Sequence, residues 1–130
     1  MLDTLALVLT ATLFGGMVLY SFGFAPFLFR QLAPEQAGPL IRAAFPWYYL
    51  FVILGGLAAG TVLLFVDGTS VALMGWVVAL GVLARQILMP AINTARDAGE
   101  RGRFAALHGA SVALNFAQLG LLLLVLIRLA

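Results

Sequence analysis

Four polar residues in the last third of the chain, His108, Ser111, Asn115 and Gln118, follow one another at steps of three, four and three residues. That spacing sets side chains on one face of an α-helix. The residues between and after them, Val112, Ala113, Leu114 and then Leu121 to Ile127, are apolar. A helix that tolerates hydrocarbon but keeps one hydrogen-bonding edge turns that edge toward protein or water. Amide, hydroxyl and imidazole groups on such an edge donate and accept directional hydrogen bonds, which is the chemistry of recognition. Arg85, with Gln86 beside it, is a second candidate, because it too sits inside an apolar stretch.

Several other chemistries are excluded. There is no phosphate-binding glycine loop, no Ser-His-Asp set and no pair of carboxylates at membrane depth, so no catalytic residue is assigned and an enzyme is not expected. The chain has no cysteine, which removes disulfides, thiolate sites and covalent c-type haem. His108 is the only histidine and cannot make a metal site alone, so neither a metal nor a cofactor is expected. Haem shared by two copies of His108 across a dimer is kept as a lesser alternative.

The elements that must position these residues follow from composition. Of 130 residues, 64% are hydrophobic and only 9% charged. A soluble domain of that composition lacks the polar side chains to coat its surface, whereas lipid covers an apolar exterior. One domain, residues 1–130, is expected, in the form of four membrane helices at about 4–29, 45–66, 71–92 and 104–129. No basic residue precedes the first apolar run and that run outlasts a signal peptide, so it reads as a retained helix. The stretch Arg30 to Ala44 reads as a polar link with a short surface helix opened by Pro34, Glu35 and Gln36. Phe45-Pro46-Trp47-Tyr48-Tyr49 reads as an aromatic belt at the headgroups. Asp67-Gly68-Thr69-Ser70 is a tight turn that makes its flanking helices antiparallel neighbours. Gly56 and Gly60 form a small-xxx-small pair suited to close helix packing.

Positive charge comes from arginine alone. Arg30, Arg42, Arg96, Arg101 and Arg103 lie in the links after the first and third spans, against Arg128 with Asp3 and Asp67 on the other side. The positive-inside rule then places those links in the cytoplasm and both termini outside. These arginines flank spans instead of forming one basic face, so nucleic acid is not a partner.

Arg85 stands roughly 12–16 Å from the cytoplasmic end of its span at 1.5 Å per residue, and none of the five acids falls within a predicted span. By the same depth count Ser111 and Asn115 come level with it. Pro26 cannot donate, which frees the Phe22 carbonyl at a similar depth. A cationic ligand-binding pocket of Arg85, Gln86, Ser111, Asn115 and Gln118, with His108 near its mouth and Tyr20 and Ser21 alongside, is the resulting expectation. The alternative is that the fourth-helix stripe, Gln118 included, only holds helices together.

Three ordered stretches carry a resemblance: Ala25-Pro26-Phe27-Leu28-Phe29-Arg30 leading to Phe45-Pro46-Trp47-Tyr48-Tyr49; Arg85 to Pro90 with Arg96-Asp97; and Leu107-His108-Gly109-Ala110-Ser111 followed by Asn115. Together they resemble a family of small four-helix membrane proteins that includes eukaryotic transmembrane protein 205 and bacterial single-domain members. The resemblance implies an integral membrane four-helix fold and supplies no catalytic residues.

The sequence thus points to an all-α, antiparallel four-helix bundle in a bacterial inner membrane, with the bilayer and further copies of itself as partners. It is expected to bind, and in the fuller form of this reading to transport, a small anionic or polar ligand or a lipid headgroup. The competing expectation is a structural subunit packing on a partner through Gly56, Gly60, Ala106, Ala110, Ala113 and Ala117.

Overall fold

A backbone entering hydrocarbon must satisfy its own N–H and C=O groups, and a helix does so within one segment. The computed structural model describes Met1–Ala130 and is all-helical, without strands. Four helices are long and apolar enough to cross a membrane: α1 (Leu2–Gln31), α2 (Pro34–Leu63), α3 (Gly68–Asp97) and α4 (Arg101–Leu129). Helix α1 packs on α2 and α4, and α3 packs on the same two, so each helix has two neighbours. Only 23 of the 130 residues are buried although 64% are hydrophobic. Large apolar side chains such as Trp76, Phe65 and Ile127 point outward, an exterior suited to lipid and not to water.

The core runs between the helices through Leu13 and Met17, Val52 and Leu63, Met74 and Val77, and Leu122 and Val125. Gly56 lets α2 and α3 close up: a Cβ added there would stand 2.6 Å from Val78 Cγ2. The pair Gly56 and Gly60 therefore serves contact with α3 of the same chain, with Met74 the neighbour of Gly60. At the α2–α3 turn, Asp67 caps α3 by accepting from the Ser70 N–H at 3.1 Å. At the α3–α4 turn, Gly99 takes the left-handed conformation, φ 70°.

Helix α2 departs from expectation. It starts at Pro34, not near residue 45, and runs unbroken through Pro39 and Pro46. The expected surface helix exists, but it is the first part of the span. A proline within a helix removes one N–H and crowds the carbonyl four residues back. Membrane helices tolerate such prolines where other groups take up the freed backbone. Separately, Arg85 Nε of α3 lies 3.4 Å from the Pro46 carbonyl and so bonds to the backbone of α2. With the start moved, Tyr48 and Tyr49 become mid-helix residues and are buried, leaving Trp47 as the exposed member of the supposed belt.

Both α1 and α3 contain one π-helical turn, at Leu19–Phe24 and Ala84–Leu88. The Ala25 N–H reaches the Tyr20 carbonyl, and the Met89 N–H reaches that of Ala84. Each turn directly precedes an X-Pro pair, Ala25-Pro26 and Met89-Pro90. The wider turn carries an extra residue, which rotates everything before it by about 100° relative to an unbroken α-helix.

Candidate functional site

The arginine-bearing ends of the helices surround a half-open cavity of about 590 Å³. This lies within the range of about 300–1,000 Å³ common for small-molecule sites. All four helices contribute. The π turn of α1 presents three consecutive residues to it, Tyr20, Ser21 and Phe22, which an ordinary helix would spread round its circumference. Helix α2 supplies Arg42, Phe45 and Tyr49 at steps of three and four, with Tyr48 beside them. Helix α3 supplies Met89, Ile92, Asn93 and Arg96, again one helical face. Helix α4 supplies Phe104, His108, Ser111 and Asn115.

A short polar chain crosses this aromatic interior. The Tyr48 hydroxyl donates to Asn115 Oδ1, and Asn115 Nδ2 donates to Ser21 Oγ at 3.0 Å. The Asn115 amide thus ties α4 to α1 and α2 at once. The Ser111 hydroxyl donates to the His108 carbonyl at 2.7 Å, a bond internal to α4. The Tyr20 ring stacks on Tyr48 with centroids 4.2 Å apart and meets Phe45 edge-on. The buried Tyr20 hydroxyl has no hydrogen-bond partner in the protein.

Charge gathers at one end of the cavity. Arg42 holds Asp97 through two parallel hydrogen bonds, both 2.8 Å. Arg96 lies 5.0 Å above the Phe104 ring, which in turn stacks on His108. Arg96 belongs to none of the ion pairs, Arg42–Asp97, Arg103–Glu100 and Arg128–Asp67. Outside this wall, a shallower basin shares Phe29, Arg42 and Arg96 and adds Glu35.

The structure brings together three of the residues singled out in the sequence, His108, Ser111 and Asn115, with Phe22, Pro26, Tyr20 and Ser21 on the facing helix. It places Arg85, Gln86 and Gln118 elsewhere. The Arg85 guanidinium is half-buried beside α2, its Nη1 3.3 Å from Gln86 Oε1, while Gln86 itself is exposed. Arg85 is four residues before Met89 and would share the cavity face in a regular helix. The π turn at Ala84–Leu88 swings it off that face. Gln118 continues the stripe one turn deeper, fully buried, and donates to the Val77 carbonyl at 2.9 Å. Arg42 and Arg96 are the cavity residues that the sequence reading assigned to topology alone. Their signal was the step from Arg42 to Phe45 and Tyr49, visible once α2 is extended to Pro34.

Four apolar helices of spanning length define a multi-pass membrane protein. The chain belongs to the family described as "Domain of unknown function (DUF4149)", whose model matches residues 8–101. The match covers α1 from residue 8 through the α3–α4 turn and stops before the polar stripe of α4. No curated protein and no solved structure matches the chain.

Proposed function

We propose that this chain is a non-enzymatic membrane protein that binds a small anionic or polar ligand or a lipid headgroup in the cavity at its arginine-bearing end. The observation that carries the reading is the position of Arg96: an exposed guanidinium at the rim of a half-open, largely apolar cavity, outside every ion pair of the chain. Arginine recognises carboxylate and phosphate through paired N–H groups. The arginine excess at the same end supports an antiparallel bundle with that end cytoplasmic and both termini outside, in a bacterial inner membrane. The resemblance to the transmembrane protein 205 family agrees with that setting. Transport of the ligand is the fuller form of the proposal.

Native mass spectrometry of protein extracted in non-ionic detergent, paired with thermal unfolding in acetate, phosphate and anionic phospholipid, tests the reading. The expected result is a bound anion or an anion-dependent rise in Tm, both lost in the Arg42→Gln/Arg96→Gln double variant. A wild type that carries no adduct and answers to no anion overturns it.

A structural-subunit role is favoured by one separate observation. Ala106, Ala110, Ala113 and Ala117 are all exposed on α4, leaving a smooth strip against which a second helix fits closely. Gly56 is already occupied by α3, so such a partner docks on α4. Bulky substitution at Ala113 that breaks an isolated complex, with the cavity variants silent, is the outcome this second reading requires.

A further inference from the structure

The interior of the cavity is polar at few points, and apart from the Tyr20 hydroxyl, which is buried without a partner, its central polar groups already bond to one another. Asn115 uses its oxygen on Tyr48 and its nitrogen on Ser21, and the Ser111 hydroxyl is spent on the His108 carbonyl. The walls around them are rings and aliphatic side chains. At the charged end, by contrast, Arg96 lacks an ion-pair partner and Arg42 is shared with Asp97. A ligand complementary to both parts is apolar along its length and anionic at one tip.

The seam between α1 and α4 shows how such a molecule gets in. Phe22 and Phe116 line the cavity and are also 54% and 55% exposed on the outer surface. Their rings meet 5.8 Å apart, so the wall there is one layer of side chains thick. Val112 and Phe29 are likewise both lining and exposed. In a membrane, the outer faces of these residues meet hydrocarbon. On the water side, the outer basin is lined by Glu35 as well as by Arg42 and Arg96, so a carboxylate shares that approach.

We propose that the cavity takes a single-chain anionic amphiphile from the bilayer, admitted between Phe22 and Phe116, with its head at Arg96 and its tail among the cavity rings. This rests on the ligand-binding reading above and adds the class of ligand and its path. The test uses the whole chain in nanodiscs of zwitterionic phosphatidylcholine, with thermal unfolding followed against laurate, lauryl alcohol, acetate and inorganic phosphate.

Laurate raises the Tm saturably, lauryl alcohol binds on the order of tenfold more weakly for want of a bond to a charged group, and acetate and phosphate do nothing. Arg96→Gln brings laurate down to the level of lauryl alcohol and leaves lauryl alcohol unchanged. Val112→Trp, which bulks up the exposed seam, weakens both tailed ligands. If acetate or phosphate protects as well as laurate and through Arg96, the ligand-binding reading stands and the amphiphile is overturned. If laurate and lauryl alcohol are equal and Arg96→Gln changes neither, the anionic head is overturned. If none of the four shifts the Tm of wild type, both proposals fall.

Discussion

The two ends of the molecule are built on different principles. Toward the Asp67–Arg128 end the helices touch directly. Gly56 admits Val78, Gly81 sits against Ile53 and Val52, and Met74, Leu63 and Leu122 leave no access. Few polar side chains are buried there, and the largest of them, Gln118, is tied to the Val77 carbonyl. Toward the arginine-bearing end the helices are spaced by aromatic rings and held by the Tyr48–Asn115–Ser21 chain, and a cavity opens. Both π turns and both adjoining prolines, Pro26 and Pro90, fall in this second half. The contrast teaches that stability and binding are divided along the helix axes. Small residues close one end, while widened turns and rings keep the other open.

The contrast breaks most visibly at the closed end. Gly56→Leu forces a side chain where even a Cβ would lie 2.6 Å from Val78, so α2 and α3 must part. Overpacking of a filled core costs about 1–3 kcal/mol, and this site belongs at the upper end of that range. Reversible unfolding in mixed micelles should show the loss, with the cavity ligand still bound by whatever fraction remains folded. Asn115→Leu acts at the open end and is milder. It removes two interhelical hydrogen bonds worth about 0.6 kcal/mol each, so a loss of roughly 1 kcal/mol is expected in the same assay. If Asn115→Leu proved the more damaging of the two, the division between a packed end and a binding end would have to be abandoned.

Much of the fold was legible, because four long apolar runs separated by charged or turn residues have few other solutions. The stripe on α4 was legible too, since three- and four-residue steps survive into any regular helix. What the sequence concealed has two physical causes. Polar composition hid the first part of α2, where Glu35, Gln36 and Arg42 continue the helix past the apolar limit and Pro39 and Pro46 mimic stops. That error turned Tyr48 and Tyr49 into a supposed belt and removed Arg42 from consideration. The second cause is rotation: a depth count at a fixed rise gives height along α3 but not direction. The π turn at Ala84–Leu88 carries Arg85 toward Pro46 and leaves the cavity face to Met89, Asn93 and Arg96. Nothing in the local residue types except Pro90 announces that turn.

The smallest predicted effect sits at the closed end's outer edge and carries a pH signature. Asp67 accepts from Arg128 Nε at 2.8 Å and from the Ser70 backbone and hydroxyl. The Arg128 hydrogen bond above all, and then Ser70, hold its carboxyl well below the ordinary value of 3.8. A carboxyl depressed in the folded state adds stability that is fully present above its unfolded pKa. That contribution fades as pH falls through the window below 3.8 toward the folded value, since there the unfolded chain binds the extra proton. Asp67→Asn should therefore lower the Tm near neutral pH by an amount that shrinks as the buffer is taken below about 4. Added salt should shrink it as well, because the Arg128 partner is accessible to solvent. Thermal scans of both proteins across that pH range give the answer. A difference that stays constant down to the most acid buffer would mean that the carboxylate's charge is immaterial and that Asp67 acts only as the hydrogen-bonded cap of α3.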